Sequence, residues 1–327
     1  MIQRRSNRIL VIRWGPIGEF VLSLSAMQRI REAHAKDEIT LLTTRQFEAL
    51  AKSSPWFDEV ESDGDAAGVG PTMALVNRIK RAKYARVYDL QNDGRTRTLF
   101  RLMWPGRPAW SGAAQGASLR HRNPARDRMH ILERQADQLA AAGIWPNAPT
   151  EPGAAPAPDL SWILKKAPPP RGPTGPGGPK PYVILAPGGS SKPEARWPVE
   201  QFAALANHFR ALGFDIVILG GPDESALARA IQRTVSQARD LTGRTDFAQI
   251  AILGARAALA IGNASGPIQL IAAAGAPTIA LFSGAMDPRL TAPRGYVTIL
   301  QAKTLADLPV AQVAQAAAAL VPQPRSP

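Results

Sequence analysis

The 327-residue chain contains no cysteine. That excludes disulfides, thiolate nucleophiles and cysteine-ligated zinc, and it fits a reducing, cytoplasmic setting. No apolar run reaches the ~18 residues that a membrane-spanning helix needs. The opening "MIQRRSNRILVIRWG" is basic but passes straight into a short strand-like run. It has neither a long apolar core nor a small-residue cleavage site, so no signal peptide is expected. Also missing are the G-x-G-x-x-G dinucleotide fingerprint, the G-x-x-x-x-G-K-[ST] phosphate loop and any zinc-finger or RNP-type module. Nucleic acid is therefore not an expected partner.

What remains is a globular composition, 45% hydrophobic and 20% charged, at a length that suits two domains. The net charge of +13 is uneven: between Arg78 and Arg134 stand 14 Lys/Arg against 4 Asp/Glu. Such a field attracts an anionic partner, namely a phosphorylated glycolipid or a membrane surface, although an arginine-rich solvated surface is an equally good account.

Along the chain, short β-branched runs alternate with amphipathic stretches. Leu10–Ile12, a glycine turn, Val21, Leu24, Met27 and Ile30 at helical spacing, then Ile39–Leu42 make a βαβ unit. "ARVYDLQND" reads as a strand with a polar end, and "HILERQADQLAAAGIWP" as a helix closed by Gly143. From Glu151 to Pro181 the texture turns Pro/Gly-rich and reads as a connection. Strands and helices then alternate again from "PYVILAPGG". We expect two doubly wound Rossmann-like α/β domains, 1–165 and 182–327, joined by a linker at 166–181. The last helix, in "LADLPVAQVAQAAAALV", either stays with the second half or crosses back to the first.

In such folds ligands sit beyond the carboxyl ends of the strands. The glycine turns fall there, and four of five belong to the second half: Gly188–Gly189, Gly220–Gly221, Gly262–Gly266 and Ser283–Gly284. "GNASGPIQL" opens a helix whose N-terminus carries about +0.5 charge and free N–H groups. Ser265 and Pro267 suit the cap and first turn, Gly266 allows close approach, and Gln269 points to ligand or water. "APGGSSKPEARWP" gathers Ser190, Ser191, Lys192 and Arg196 after a strand, a set suited to a diphosphate. Trp197 is expected to pack beneath the next helix. In "GGPDE", Gly221 and Glu224 offer a ribose contact or simple helix-dipole compensation. Glu19 follows the "GPIG" turn, where an acid again serves either a ligand or the helix dipole.

Taken in order, "VIRWGPIGEFVLSLSAM", "YDLQNDGRTRTLF", "PGGSSKPEARWP", "VILGGPDE", "DLTGRTDFAQIAIL", "GNASGPIQLIAAAGAPTIALF" and "MDPRLTAPRG" resemble glycosyltransferase family 9, the ADP-heptose:lipopolysaccharide heptosyltransferases. The resemblance implies a GT-B fold, two Rossmann-like domains facing a cleft. The second domain would bind a nucleotide sugar and the first an anionic glycolipid acceptor, in an inverting reaction without metal or resident cofactor. Glu19 stands where the family has its catalytic aspartate. Gly18, Arg13, Asn92 and Arg95 fall on the acceptor side, and Asp287 falls in a loop near the donor. The sequence departs from the family pattern at Ala195, Ala264 and Gln269. A catalytically weakened nucleotide-sugar-binding protein is accordingly the alternative. The expected location is the cytoplasm, with peripheral contact at the inner face of the inner membrane.

Overall fold

A computed structural model describes residues 7–65, 67–166, 180–189 and 195–321. The chain forms two compact units, Met1–Pro156 and Ala157–Pro327. Each holds a six-stranded sheet whose ladders are all parallel.

In the first unit the sheet order is β3-β2-β1-β4-β5-β6. The strands are β1 (Arg8–Ile12), β2 (Glu38–Leu42), β3 (Glu59–Glu61), β4 (Arg86–Asp89), β5 (Ala109–Gly112) and β6 (Leu119–Arg120). The central ones are buried on both faces, as parallel strands under two helix layers must be. One layer pairs α1 (Ile17–Ala33) with α5 (Ile131–Ala141). The other pairs α3 (Val69–Ala82) with α4 (Gly94–Leu102), whose Leu75, Val76, Ile79, Leu99 and Phe100 pack on Trp110 and Val87. The short α2 (Glu48–Ser53) precedes β3. The strand read from "ARVYDLQND" is shorter than its polar tail suggests. Asp89 Oδ1 accepts the N–H groups of Gln91 (3.1 Å) and Asn92 (2.7 Å), and Asn92 has φ +55°, so the chain turns there.

The second unit repeats the plan with order β12-β11-β10-β7-β8-β9. Its strands are β7 (Tyr182–Ala186), β8 (Asp215–Ile218), β9 (Arg239–Asp240), β10 (Leu259–Asn263), β11 (Thr278–Ser283) and β12 (Val297–Ala302). Its helices are α6 (Ser161–Lys166), α7 (Val199–Ala211), α8 (Ser225–Thr234), α9 (Phe247–Arg256), α10 (Gly266–Ala273), α11 (Pro288–Thr291) and α12 (Val310–Leu320). Helix α6 packs on α9, and α12 packs on α7 and β11 with Val313 and Ala317 buried in the unit's core. The final helix thus stays with the second half. Residues 167–179 of the Pro/Gly connection lie outside the described residues. Its first part is pinned to the first unit, where Glu133 Oε1 accepts the N–H of Gly153 at 3.0 Å and of Ala155 at 3.3 Å.

Candidate functional site

Each sheet carries a cluster of polar groups at the carboxyl end of its strands. In the first unit β1 ends at Ile12 and the chain turns through Gly15 (φ +89°) into α1, which brings Glu19 into the first helical turn. The side chain of Arg13, only 1% exposed, donates from Nη2 to Glu19 Oε2 at 2.7 Å. Its Nη1 donates to Leu90 O (3.3 Å) and Gln91 Oε1 (3.2 Å). Burial pushes the Arg13 guanidinium below its ordinary value, and the Glu19 carboxylate opposes the shift. This ion pair fixes one carboxylate oxygen, Oε2, of a side chain that is about one-third exposed.

The neighbouring loop is braced by side-chain amides. Asn92 Nδ2 donates to Asp89 O (2.6 Å) and Gln138 Oε1 (2.8 Å), while its Oδ1 accepts Ala113 N (2.6 Å). Gln138 Nε2 in turn donates to Asp89 O at 2.9 Å. Asp93 caps α4 by accepting the N–H groups of Arg95 and Thr96, both at 2.9 Å, and accepts Trp14 Nε1 at 3.0 Å. The Arg95 guanidinium lies 5.3 Å from the Trp14 ring centre. On α5, Arg134 sits next to Gln135, whose Nε2 donates to Ser23 Oγ at 2.8 Å. Ser23 Oγ donates to Glu19 O at 2.7 Å. Burial lowers the Arg134 guanidinium, Arg126 and Arg13 push it the same way, and Glu19 opposes them.

In the second unit three turns converge. After β7 come Pro187, Gly188 and Gly189; after β8 come Gly220 and Gly221; after β10 comes the start of α10. The Glu224 carboxylate bridges the first two, accepting Gly189 N at 2.7 Å and Gly221 N at 2.8 Å. The approach is close enough that a Cβ on Gly188 would fall 1.7 Å from Glu224 Oε1. Gly189, at φ +120°, lies against Ser265; a Cβ there would meet Ser265 Cβ at 2.8 Å. Asn263, 1% exposed, ties the turns together. Its Nδ2 donates to Pro187 O (2.7 Å) and Gly188 O (3.1 Å), and its Oδ1 accepts Trp197 N (2.9 Å). The mouth of α10 therefore presents the N–H groups of its first turn beside two glycine loops, a geometry suited to an anion.

Comparison with known proteins follows the same outline. The model of glycosyltransferase family 9 (heptosyltransferase) matches residues 72–306. The chain belongs to glycosyltransferase family 9. This family 9 chain is 23% identical to lipopolysaccharide heptosyltransferase 2 of Escherichia coli K12 over 312 residues, covering 88% of the chain and 86% of the relative. A family 9 glycosyltransferase from Veillonella parvula has a TM-score of 0.75 at 21% identity, covering 96% of this chain and 97% of its own. The E. coli ADP-heptose lipopolysaccharide heptosyltransferase II has a TM-score of 0.74 at 20% identity, with 96% and 98% covered. At these identities the structural likeness establishes the two-unit GT-B fold.

Within this family 9 frame, Glu19, Gly18 and Arg13 come together at one strand end, and Arg13 is committed to Glu19. The amide of Asn92 is spent on β4, β5 and α5, so it braces the loop. Gly221, Glu224, Ser265, Gly266 and Pro267 meet at the other strand ends. Ser265 occupies the cap position of α10, but its hydroxyl makes no capping bond. Gln269 is 7% exposed and its Nε2 donates to Thr291 O at 2.5 Å, so it braces α11. Asp287 caps α11 and is clamped by Arg289 at 2.8 Å; that hydrogen bond holds its carboxyl below the usual range. Trp197 is buried, T-stacked on Phe202 with ring centres 4.8 Å apart, and donates to Leu308 O at 2.8 Å. Arg196 is half-buried just before it. Ser190, Ser191 and Lys192 lie outside the described residues. Sequence reasoning missed Asp89, Gln91, Asn263 and Arg134. Asp89 and Asn263 end buried strands, where a polar side chain must find partners, and that rule was a usable signal. Gln91 and Arg134 carry no such mark.

Proposed function

We propose that this glycosyltransferase is inverting and transfers heptose from ADP-heptose to a lipopolysaccharide core or related lipid-linked glycan. The observation that carries the reading is the convergence of the Gly188–Gly189, Gly220–Gly221 and Ser265–Gly266 backbones around one helix start. Amides held by the fold need no reorganisation when charge develops on a departing diphosphate. Arg196 and Lys192 supply cations to the same group, with Ser190 and Ser191 as hydroxyl donors. Glu224 takes the ribose hydroxyls, and Asp287 borders the sugar.

In the reaction, Glu19 Oε1 removes the proton of the acceptor hydroxyl. The hydroxyl oxygen attacks the anomeric carbon, the bond from that carbon to the diphosphate oxygen breaks, and ADP leaves with the electron pair on the opposite face. Configuration inverts. Arg13 holds the base in place, while Arg95 and Arg134 offer positive charge to an anionic acceptor. No resident cofactor enters; the nucleotide sugar is substrate. Peripheral contact with the inner membrane from the cytoplasmic side belongs to this reading. Incubation with ADP-, UDP- and GDP-linked sugars and a detergent-dispersed acceptor tests it. Transfer is expected from the ADP-linked heptose; transfer only from a UDP- or GDP-linked sugar would refute the donor assignment.

The engagement of Gln269 with Thr291 and the alanine at position 264 favour a second reading, a nucleotide-sugar-binding protein of weakened activity. Calorimetric binding of the donor without transfer to any purified acceptor would select it.

A further inference from the structure

Six large hydrophobic side chains stand out as exposed among the described residues, and four of them lie on one helix layer of the first unit. Val69 (83% exposed) and Met73 (39%) mark the start of α3, and Leu102 (38%) and Trp104 (70%) the end of α4. The two helices pack side by side over the same core. Their outward positions between these residues carry Lys80, Arg81, Arg97 and Arg101, all exposed, and Lys83 follows directly. Neither helix contains an Asp or Glu. The loop ahead of α3 carries the exposed acid Asp65.

Trp104 is held outward by its own turn. Arg107 Nε donates to Phe100 O at 2.8 Å and Nη2 to Arg101 O at 3.3 Å, satisfying the last carbonyls of α4. That places its guanidinium 5.2 Å from the Trp104 ring centre. An indole presented to water beside guanidinium groups is costly in isolation and well matched to a bilayer interface. There the ring lies at headgroup depth and long cationic side chains reach the phosphates. Two helices without an acid of their own, the acids Glu61 and Asp63 beside them being paired with Arg78, and with apolar groups at both ends, fit a flat anionic surface better than a pocketed protein partner.

We propose that the α3–α4 layer docks this protein on an anionic lipid bilayer. Trp104 and Leu102 enter the headgroup region, and Lys80, Arg81, Arg97 and Arg101 pair with lipid phosphates. Because the helices lie along the strands, flank-on docking keeps the strand ends that carry Glu19 at the side of the contact, open to an acceptor. The proposal rests, for its purpose, on the reading of a lipid-linked acceptor; its evidence is separate.

Flotation of the full chain with vesicles of phosphatidylcholine, alone or mixed with phosphatidylglycerol, is the test. Retention is expected on the mixed vesicles only, weakened by salt and roughly tenfold lower for Trp104→Ala/Leu102→Ala and for Arg97→Glu/Arg101→Glu. Melting temperatures check that these variants fold, and Leu212→Ala, in the second unit, should bind as the parent does. Brominated acyl chains should quench tryptophan emission in the parent and less in Trp104→Phe. No retention, equal retention on both vesicles, or loss on charge reversal with none on Trp104→Ala would each overturn the proposal. No donor or acceptor is present, so failure of the transferase reading would leave this result untouched.

Discussion

Asp89 ends β4 fully buried, and desolvation pushes its carboxyl up to about 6, against the N–H groups that hold its charged form. A carboxyl raised by folding binds its proton more tightly in the native state. Its contribution is therefore greatest below the unfolded value of 3.8 and is lost as pH rises toward about 6. Asp63 works in the opposite sense, because its hydrogen bonds to Arg78 hold it low. Asp89→Asn keeps an oxygen for the two N–H groups and removes the titration. The stability of the parent relative to the variant, from urea unfolding, should fall by on the order of 2–3 kcal/mol between about pH 4 and pH 7. A flat difference would contradict the burial argument. Asn263 offers a second test, since Asn263→Ala strips partners from two carbonyls and the Trp197 N–H. Chemical unfolding should show a loss of roughly 2–4 kcal/mol.

At the scale of elements, the turns between strand and helix gather the polar groups of both units. Gly188→Ala would drive the Glu224 carboxylate off both Gly189 and Gly221. A melting temperature lower by several degrees is expected, corresponding to about 1–3 kcal/mol, together with weaker donor binding. An unchanged melting curve would mean that Glu224 does not hold these loops. Elements with strong periodicity were legible in the sequence: α1, α5, α7 and the buried strands β1, β7, β10 and β11 all lie where spacing put them. β5 and β6, four and two residues long, carry too little pattern to detect. Helix α3 opens with the exposed Val69-Gly70-Pro71, weak helix formers, and is anchored further along by Leu75, Val76 and Ile79 in the core with Trp110. The polar tail of β4 was misjudged because Asp89 folds the chain back through bonds that propensity does not register.

For the whole molecule, alternation of strands and helices was enough to foresee two doubly wound units, because each βαβ crossover has one workable hand. The site was legible as backbone and less so as side chains. Glycine turns reported where amides gather, yet nothing in the string told that Asn92 and Gln269 would brace loops or that Arg13 would reach Glu19. Among the described residues no helix is long and apolar enough to cross a membrane. Part of the excess of basic residues from Arg78 to Arg134 is exposed on α3 and α4, while Arg134 on α5 is close enough to Glu19 for the carboxylate to act on its guanidinium. The account as a whole depends on the second unit holding the donor while Glu19 supplies the base. Glu19→Gln isolates that division of labour. Turnover should drop by roughly 10²–10⁴-fold while the dissociation constant for ADP-heptose, from calorimetry on the same preparation, stays within about twofold. Turnover equal to the parent's, or donor binding lost together with it, would contradict the account.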